Sequence, residues 1–406
     1  MAVNELEYPI SKLDPNDLTR ASDVLYKHLG VTYTRDGFGI NEFSFLVSLT
    51  LLDEKTQEDV PNEKALVFEI HDFVEFGNLI DPNDKDKRIT RKGIVYNIQD
   101  IRLEDGTNIR KVTGFGLGYM LKGAPIEPPS VAQVYSDSHK VFTNIPLTDV
   151  LGELVDDNRV SNVYDTNMNI ANLVISVTPG IGPLLNEQFR WQELTKEIKR
   201  ICSNNGYGWS VEYDEIGDEF EFNVSSGFDR TAGQSINTRA IFSIELENVK
   251  SLKRTQNFTN YRQVAKVGGQ GDGIARDIVE TADAIMGWLR KKIFIDARDI
   301  NLGEFGDLIN RGNERLNDYV PTDVIETGGF ISRDNLVYLR DFDLLDTITI
   351  EDDILGISED LQITKVVESY LNDEEFKTTL FFGLEQTTSA DIINNRFKNT
   401  SVEVLK

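Results

Sequence analysis

The stretch NEFSFLVSLTLL, residues 41–52, alternates almost without a break. Phe43, Phe45, Val47, Leu49 and Leu51 point one way, and Glu42, Ser44, Ser48 and Thr50 mostly the other. A period of two over this length belongs to a strand with one buried face, because apolar positions in a helix recur every 3.6 residues. ALVFEIHDF repeats the pattern and predicts a strand with Leu66, Phe68 and Ile70 inward and His71 on its polar face. GIVYNIQDIRLEDGTNIRKVTGFG predicts a hairpin that turns at Asp105-Gly106. A short helix over DLTRASDVLYKHLG, ended by Gly30, is expected ahead of these strands, and DPNDKDKR at 81–88 reads as a polar loop.

The character changes at KGAPIEPPSVAQ, residues 122–133, where Pro125, Pro128 and Pro129 mark a linker or domain edge. Beyond it, IPLTDVLGELVDD carries Leu147, Val150, Leu151 and Leu154 at helical spacing. FRWQELTKEIKRICSNNGYG places Trp191, Leu194, Ile198 and Ile201 on one stripe, ended at Asn204, Asn205 and Gly206. WSVEYDEIGDEFEFNV predicts a hairpin with Val211 and Tyr213 inward, a turn at Gly217-Asp218, and Phe220, Phe222 and Val224 on the return. From about residue 236 strand signals dominate again, interrupted by one helix over FGDLINRGNERLNDYV with Leu308, Ile309, Leu316 and Tyr319 on its apolar side. The expected division is an N-terminal β-barrel-like domain with a leading helix (1–121), a linker and α+β middle domain (122–235), a second β-barrel-like domain with one inserted helix (236–390), and a tail (391–406).

Composition narrows the functions. With 68 acidic against 42 basic residues the formal charge is −26, so the surface repels phosphate backbones and affinity for nucleic acid by counterion release is not expected. Such a surface serves solubility, and it also suits a wall past which a duplex slides without sticking. The single cysteine, Cys202, allows no intramolecular disulfide. MAVNELEYPISKLDPND lacks a basic region followed by an apolar run, so no signal peptide is expected, and no apolar stretch approaches the length of a membrane span.

KVGGQGDGIARDIVE, residues 266–280, raises the question of a phosphate-binding loop. Gly268 and Gly273 have the required spacing, but Ile274 and Ala275 stand where Lys and Ser/Thr belong. Gly269 and Gly271 open a dinucleotide fingerprint whose third glycine falls on Ile274. The following residues read as a strand, so no helix N-terminus faces an anion, and the whole reads as a hairpin turning at Asp272-Gly273. His28, His71 and His139 are scattered and no Cys pair exists, so no metal site is expected; Asp352 and Asp353 leave only a weak calcium site open. There is no Gly-x-Ser-x-Gly elbow, and the paired acids Asp156/Asp157 and Asp218/Glu219 lie at a helix end and a turn. No catalytic, cofactor-binding or metal-binding residue is assigned.

SSGFDRTAG, the 242–280 segment, WLRKKIFIDAR, YLRDFDLLDTITIEDDILGISEDLQITKVVES and LFFG together resemble the siphovirus tail-tip proteins with a baseplate-hub fold, also called tail-associated proteins. The motif residues are Gly227, Asp229, Arg230 and Thr231, then Gly269, Gly271, Gly273 and Arg276, then Tyr338, Asp341, Asp343 and Asp346. The sequence departs from the family pattern at Leu345, where a glycine is expected before the last aspartate. YTRDGFGINEFSFLVSL and VTGFGLGYML resemble the family more loosely. The resemblance implies an α+β, mainly β chain with two β-barrel-like domains and intervening α+β domains. It implies a homotrimer at the distal end of the tail tube that joins a sixfold distal tail protein ring to a threefold tip. Further implied neighbours are the tape measure protein and tail fibre, spike or receptor-binding proteins, with DNA passing through the lumen without specific binding and no stable membrane insertion. The implied place is the virion, after synthesis in the bacterial cytoplasm, and no cofactor is implied. The competing reading is a carbohydrate-binding or cell-wall-degrading β-module, in which aromatic rings would stack on sugar or paired acids would do chemistry.

Overall fold

A computed structural model describes residues 9–383, apart from 16–17, 19–23, 26–27, 53–58, 85–87, 105, 132–133, 136–138, 164, 283, 299, 317–318, 332–335 and 372–375. The chain separates into two compact units, one of residues 1–252 with 326–382 and one of residues 253–325 with 383–406.

The first unit is built on an antiparallel sheet in which eight strands lie in the order Ile10–Leu13, Phe73–Ile80, Arg88–Arg102, Asn108–Gly116, Glu42–Ser48, Gly30–Asp36, Ile357–Leu371 and Lys377–Phe382. Strands from both ends of the sequence thus meet at its centre, where Gly30–Asp36 pairs with the last third of the chain. The alternation in NEFSFLVSL does what the period requires: Phe43, Phe45 and Val47 are buried and pack with Tyr33, Val74 and Phe76. The hairpin expected to turn at residues 105–106 also forms between Arg88–Arg102 and Asn108–Gly116, with Gly106 at φ +90°. Ile357–Leu371 extends beyond this sheet, and its first half pairs with Thr347–Asp352, which in turn runs parallel to Ile241–Ser243. The chain is mainly β as expected, but the described residues form open sheets and no closed barrel.

A helical layer of the same unit occupies the middle of the sequence. In the helix Leu147–Val155, Leu147, Val150, Leu151 and Leu154 are all fully buried. In the helix Leu194–Asn205, Leu194, Ile198 and Ile201 face the same core, and Gly206 ends it at φ +71°. Its first turn is capped by the Glu193 carboxylate, which accepts from Lys196 N and also from Gly123 N, tying the proline-rich segment to the helix. Both helices share this core with the hairpin Tyr207–Asp214/Glu219–Ser226, and Trp209 of the hairpin donates its indole N–H to Phe38 O at 2.7 Å.

Four expectations need correction. ALVFEIHDF is not a strand: Glu63–Leu66 is a helical turn, and the strand begins only at Phe73. Phe68 is buried there, but Leu66 and Ile70 are exposed, and His71 sits in a turn at φ +74°. Trp191 precedes its helix at φ +63° and is exposed rather than part of the apolar stripe. Ile309 is exposed too, since only Leu308 of that pair faces inward. The helix expected over 17–30 falls largely outside the described residues, and Gly30 opens a strand.

The second unit has its own small architecture. Val264–Gly268 is the centre of a three-stranded sheet, antiparallel to Ile278–Glu280 and parallel to Lys292–Asp296. The helix Phe305–Leu316 covers one face, where Leu308 packs with Ala265, Val267, Ala297 and Ile300. Gly312 allows the close approach, since a Cβ there would lie 2.9 Å from Val267.

Candidate functional site

In the first unit the motif residues Gly227, Asp229, Arg230 and Asp346 come together although more than a hundred residues separate them in sequence. Asp346 is buried and its carboxylate is fully used: it accepts from Phe228 N at 2.7 Å, Arg230 Nε at 2.6 Å and Asp343 N at 2.9 Å. The backbones are locked beside it, with Thr347 N donating to Phe228 O and Arg230 N to Thr347 O. Gly227 lies so close to the opposite chain that a Cβ would stand 2.0 Å from Leu345 O. Asp229 is exposed and caps its own turn by accepting from Thr231 N.

Leu345 explains its own departure from the family pattern. It adopts φ +73°, the left-handed region where glycine is favoured. Its side chain fills the space left by two other glycines: a Cβ on Gly208 would meet Leu345 Cδ1 at 2.2 Å, and one on Gly37 would meet Cδ2 at 2.6 Å. The backbone strain is of order 1–2 kcal/mol, and it is offset by burial of a leucine, worth about 1.5–3 kcal/mol.

Next to this junction lies an ionic network the sequence did not announce. Arg35 donates to both Asp343 and the Tyr338 hydroxyl, Tyr338 donates to Glu368 at 2.9 Å, and Arg91 grips Glu368 through two hydrogen bonds of 3.0 and 2.6 Å. Glu368 is fully buried in the long strand Ile357–Leu371. Burial pushes its carboxyl up, but Arg91, Arg35 and the Tyr338 hydroxyl together hold it below the usual range. Burial likewise opposes, and Arg35 outweighs that opposition, at Asp343, whose carboxyl is also held low. Burial drives the Tyr338 phenol well above its ordinary value. The signal was present in the sequence as charges inside strands, Arg35 in VTYTRD and Glu368 in KVVESY, but only the fold brings them together.

In the second unit the glycine-rich segment is a turn between the antiparallel strands Val264–Gly268 and Ile278–Glu280. Its amides are spent internally: Gly269 N donates to Asp277 O, Gln270 N to Ile300 O, and Ala275 N to Asp272 O. A phosphate cradle needs such groups free. Arg276 lies back across the open face of the sheet, donating to Gly268 O at 2.8 Å and Gly269 O at 3.0 Å and pairing with Asp296. Gly268 makes room for it, because a Cβ there would stand 2.7 Å from the guanidinium carbon.

The loop glycines are not equivalent. Gly271 has φ +105° and a Cβ would meet Ala275 O at 2.6 Å, whereas Gly273 has φ +55° and open space around it. Gly273→Val is expected to cost only the left-handed penalty of about 1–2 kcal/mol. Gly271→Val adds a backbone clash and should cost clearly more. Amide hydrogen exchange across 264–280 reads this difference, and equal protection in the two variants would contradict it.

Among the described residues, one trio of carboxylates, Asp214, Glu219 and Glu221, brings its oxygens within 4.8 Å of one another. Asp214 is already capping the turn through Ile216 N and Gly217 N. Asp352 caps Leu355 N in the same way. Cys202 is fully buried, which pushes its thiol up and away from the reactive thiolate. No helix among the described residues is long and apolar enough to cross a membrane.

The geometry therefore consists of junctions that lock distant segments. The fold is similar to that of the 43 kDa tail protein of prophage MuSo2 from Shewanella oneidensis, at 13% identity and a TM-score of 0.54, over 93% of this chain and 97% of that one. It is also similar to a tail protein from Neisseria meningitidis MC58, at 13% identity and a TM-score of 0.52, with the same coverage. At such identity the likeness speaks for fold, which is that of phage tail proteins. No curated protein matches the sequence. Residues 57–384, which include every one of the junctions above except Arg35 and Gly37, match a family defined on a siphovirus protein, and the chain belongs to the Siphovirus ReqiPepy6 Gp37-like protein family.

Proposed function

We propose that this chain is a structural, non-catalytic subunit of a siphovirus tail, and that three copies form a hub at the distal end of the tail tube. The hub joins a sixfold distal tail protein ring to the threefold tip and gates the exit of DNA, with the tape measure protein above and fibre, spike or receptor-binding proteins below. The family match over 57–384 carries this reading. Charge supports it. The residues 253–325 hold eleven basic and eleven acidic side chains, so the entire −26 belongs to the remaining chain, which suits a wall along which a duplex slides. The proposed division into domains 1–121, 122–235 and 236–390 belongs to the same reading.

Native mass measurement of the purified chain and a cryo-EM map of the assembled tail test it. The expected results are a trimer, and a threefold channel on whose surface acidic side chains outnumber basic ones. A chain that stays monomeric at tail-assembly concentrations, or a basic channel, overturns the proposal.

One observation favours a sugar-binding role as the second reading. A shift of register between Val95 and Asn97 turns Tyr96 outward beside Phe115 and Tyr119, whose rings stack at 4.4 Å, with Lys122 Nζ 5.0 Å from the Tyr119 ring. Aromatic faces edged by a cation can hold a pyranose ring. Calorimetric titration with cell-wall oligosaccharides separates the readings, since binding lost in Tyr119→Ala supports this one and absence of heat removes it.

A further inference from the structure

The aromatic platform of the first unit has a carboxylate beside it. Glu42 and Phe115 are direct partners across the ladder of the strands Glu42–Ser48 and Asn108–Gly116, so their side chains stand next to each other on one face of the sheet. That face is opposite to the one on which Phe43, Phe45 and Val47 are buried, since side chains alternate along a strand. The pair is fixed in place: Gly116 N donates to Asn41 O at 2.7 Å, and a Cβ on Gly116 would stand 2.8 Å from the Asn41 Cβ. The short turn Leu117–Leu121 that carries Tyr119 is equally held. Leu117 and Leu121 are buried, and a Cβ on Gly118 would meet the Trp209 ring at 2.9 Å.

The rings form a row. His71 meets Tyr96 edge-on at 5.3 Å, the Tyr96 and Tyr119 centroids lie 4.2 Å apart, and Tyr119 stacks on Phe115. Burial and a hydrogen bond with Tyr96 push the Tyr119 phenol up to about 12, so its hydroxyl stays protonated near neutral pH. Glu42, at the end of the row, is half-buried, and among the described residues none forms a hydrogen bond or ion pair with its carboxylate. Burial raises this carboxyl above its ordinary value, aided by Asp36 and opposed by Lys365, Lys199 and Lys122. The protein around Glu42 gives it nothing to accept, so its donors come from water or from a ligand.

The chemistry of that ligand follows. An ionised carboxylate only accepts, and its two oxygens match two hydroxyls on neighbouring carbons. A sugar ring laid on Phe115 and Tyr119 turns its C–H groups to the aromatic faces and its hydroxyls to the rim, where Glu42 stands. Lys122, 5.0 Å from the Tyr119 ring and 5.5 Å from the Phe115 ring, adds a donor for other sugar oxygens. A linear chain of N-acetylhexosamines, linked as in chitin, offers no pair of neighbouring hydroxyls within the chain. Its ring hydroxyl stands beside an acetamido group, whose carbonyl oxygen would face a carboxylate with nothing to donate.

We infer that Glu42 sets the specificity of this platform, which takes a polysaccharide of unsubstituted hexoses or pentoses whose neighbouring hydroxyls bind the Glu42 carboxylate, in preference to an N-acetylated glycan. The inference rests on the second, sugar-binding reading above and names the class of sugar. The rings supply area and Glu42 supplies choice, because a site built to hydrogen-bond a hydroxyl rejects a ligand that lacks it.

Calorimetric titration of the full chain with oligosaccharides from mannan, from arabinogalactan and from chitin tests it, in mildly alkaline buffer that keeps Glu42 ionised. Mannan or arabinogalactan oligosaccharides should bind at least tenfold more tightly than those from chitin. Periodate cleaves the carbon–carbon bond between neighbouring hydroxyls, so treatment of the bound oligosaccharide should abolish its binding. Glu42→Gln keeps the shape and one acceptor; it should weaken binding at least tenfold and shrink the preference over chitin. Its urea midpoint should not fall, because the substitution leaves no partner unpaired. Asp353→Asn, at an exposed carboxylate in the turn before Ile357–Leu371, should bind as the wild type does. The chitin and periodate arms do not depend on any variant folding. Binding that needs Tyr119 yet is unchanged in Glu42→Gln, survives periodate or favours chitin overturns this inference and leaves the sugar-binding reading standing. Absence of heat with all three oligosaccharides removes both.

Discussion

Asp346→Ala should be among the most damaging single substitutions in the first unit, lowering its stability by about 3–5 kcal/mol, the cost of removing one partner of a buried ion pair. The carboxylate serves Arg230, Phe228 N and Asp343 N at once, and the alanine leaves a buried guanidinium and two amides without acceptors. Asp346→Asn should cost less, because an amide oxygen still accepts while the charge pairing is lost. Urea unfolding followed by Trp209 fluorescence, in a background with Trp191 and Trp288 replaced by Phe, reports the unit directly, since that indole is buried in its core. If Asp346→Ala unfolded at the wild-type midpoint, the junction would contribute nothing, and the assignment of Gly227, Arg230 and Asp346 as one structural group would be wrong.

Glu368→Ala should be of similar size, about 3–5 kcal/mol, for the same reason: Arg91 and the Tyr338 hydroxyl lose their common acceptor in a buried place. This network also makes stability depend on pH. The Glu368 and Asp343 carboxyls are lowered in the folded chain, so the unfolded chain takes up protons first as the solution is acidified. Their contribution is complete above the unfolded values of about 4 and is lost as pH falls through the lower folded values. Urea midpoints measured from pH 7 down to pH 3 should fall steeply below about pH 4. Glu368→Gln should start lower at neutral pH and decline less steeply in acid. A variant that kept the wild-type slope would show that Glu368 does not carry the acid sensitivity.

Strands with clean alternation were legible because the period and the fold agree. NEFSFLVSL needed nothing beyond its own pattern, and the helix Leu147–Val155 buries the residues its spacing marked. ALVFEIHDF misled for a physical reason. Its alternation is genuine, but Ala65 and Phe68 also stand three residues apart, and Phe68 packs edge-on against Phe45 at 5.1 Å. That contact from another strand decided the local structure, and Leu66 and Ile70 were left outside. Trp191 failed similarly, since the Glu193 cap starts the helix after it.

The motif residues were legible as a set but not as partners. Gly227 and Asp346 are far apart in sequence, and nothing in their spacing states that one backbone must pass within van der Waals contact of the other. Arg35, Arg91 and Glu368 were not legible as a network for the same reason: each is one charge in a strand, and their meaning comes from the neighbouring strands. The second unit's glycine turn was legible from what its sequence lacked, but not the reason for Gly268, which is the arginine lying over it.

The strand Ile357–Leu371 has a mechanical consequence. Its first half pairs with Thr347–Asp352, and its second half is held between Gly30–Asp36 on one side and Lys377–Phe382 on the other. Tension applied along this strand meets ladders lying on its flanks, so rupture requires many hydrogen bonds to shear together instead of opening one at a time from an end. Each such bond adds only about 0.5–1.5 kcal/mol at equilibrium, yet bonds that must fail simultaneously resist a pull far better than the same bonds in a row. The Arg91–Glu368 clamp sits in the doubly flanked half and reaches a strand beyond the immediate neighbours. A pull along the sheet is thereby spread to strands drawn from both ends of the sequence.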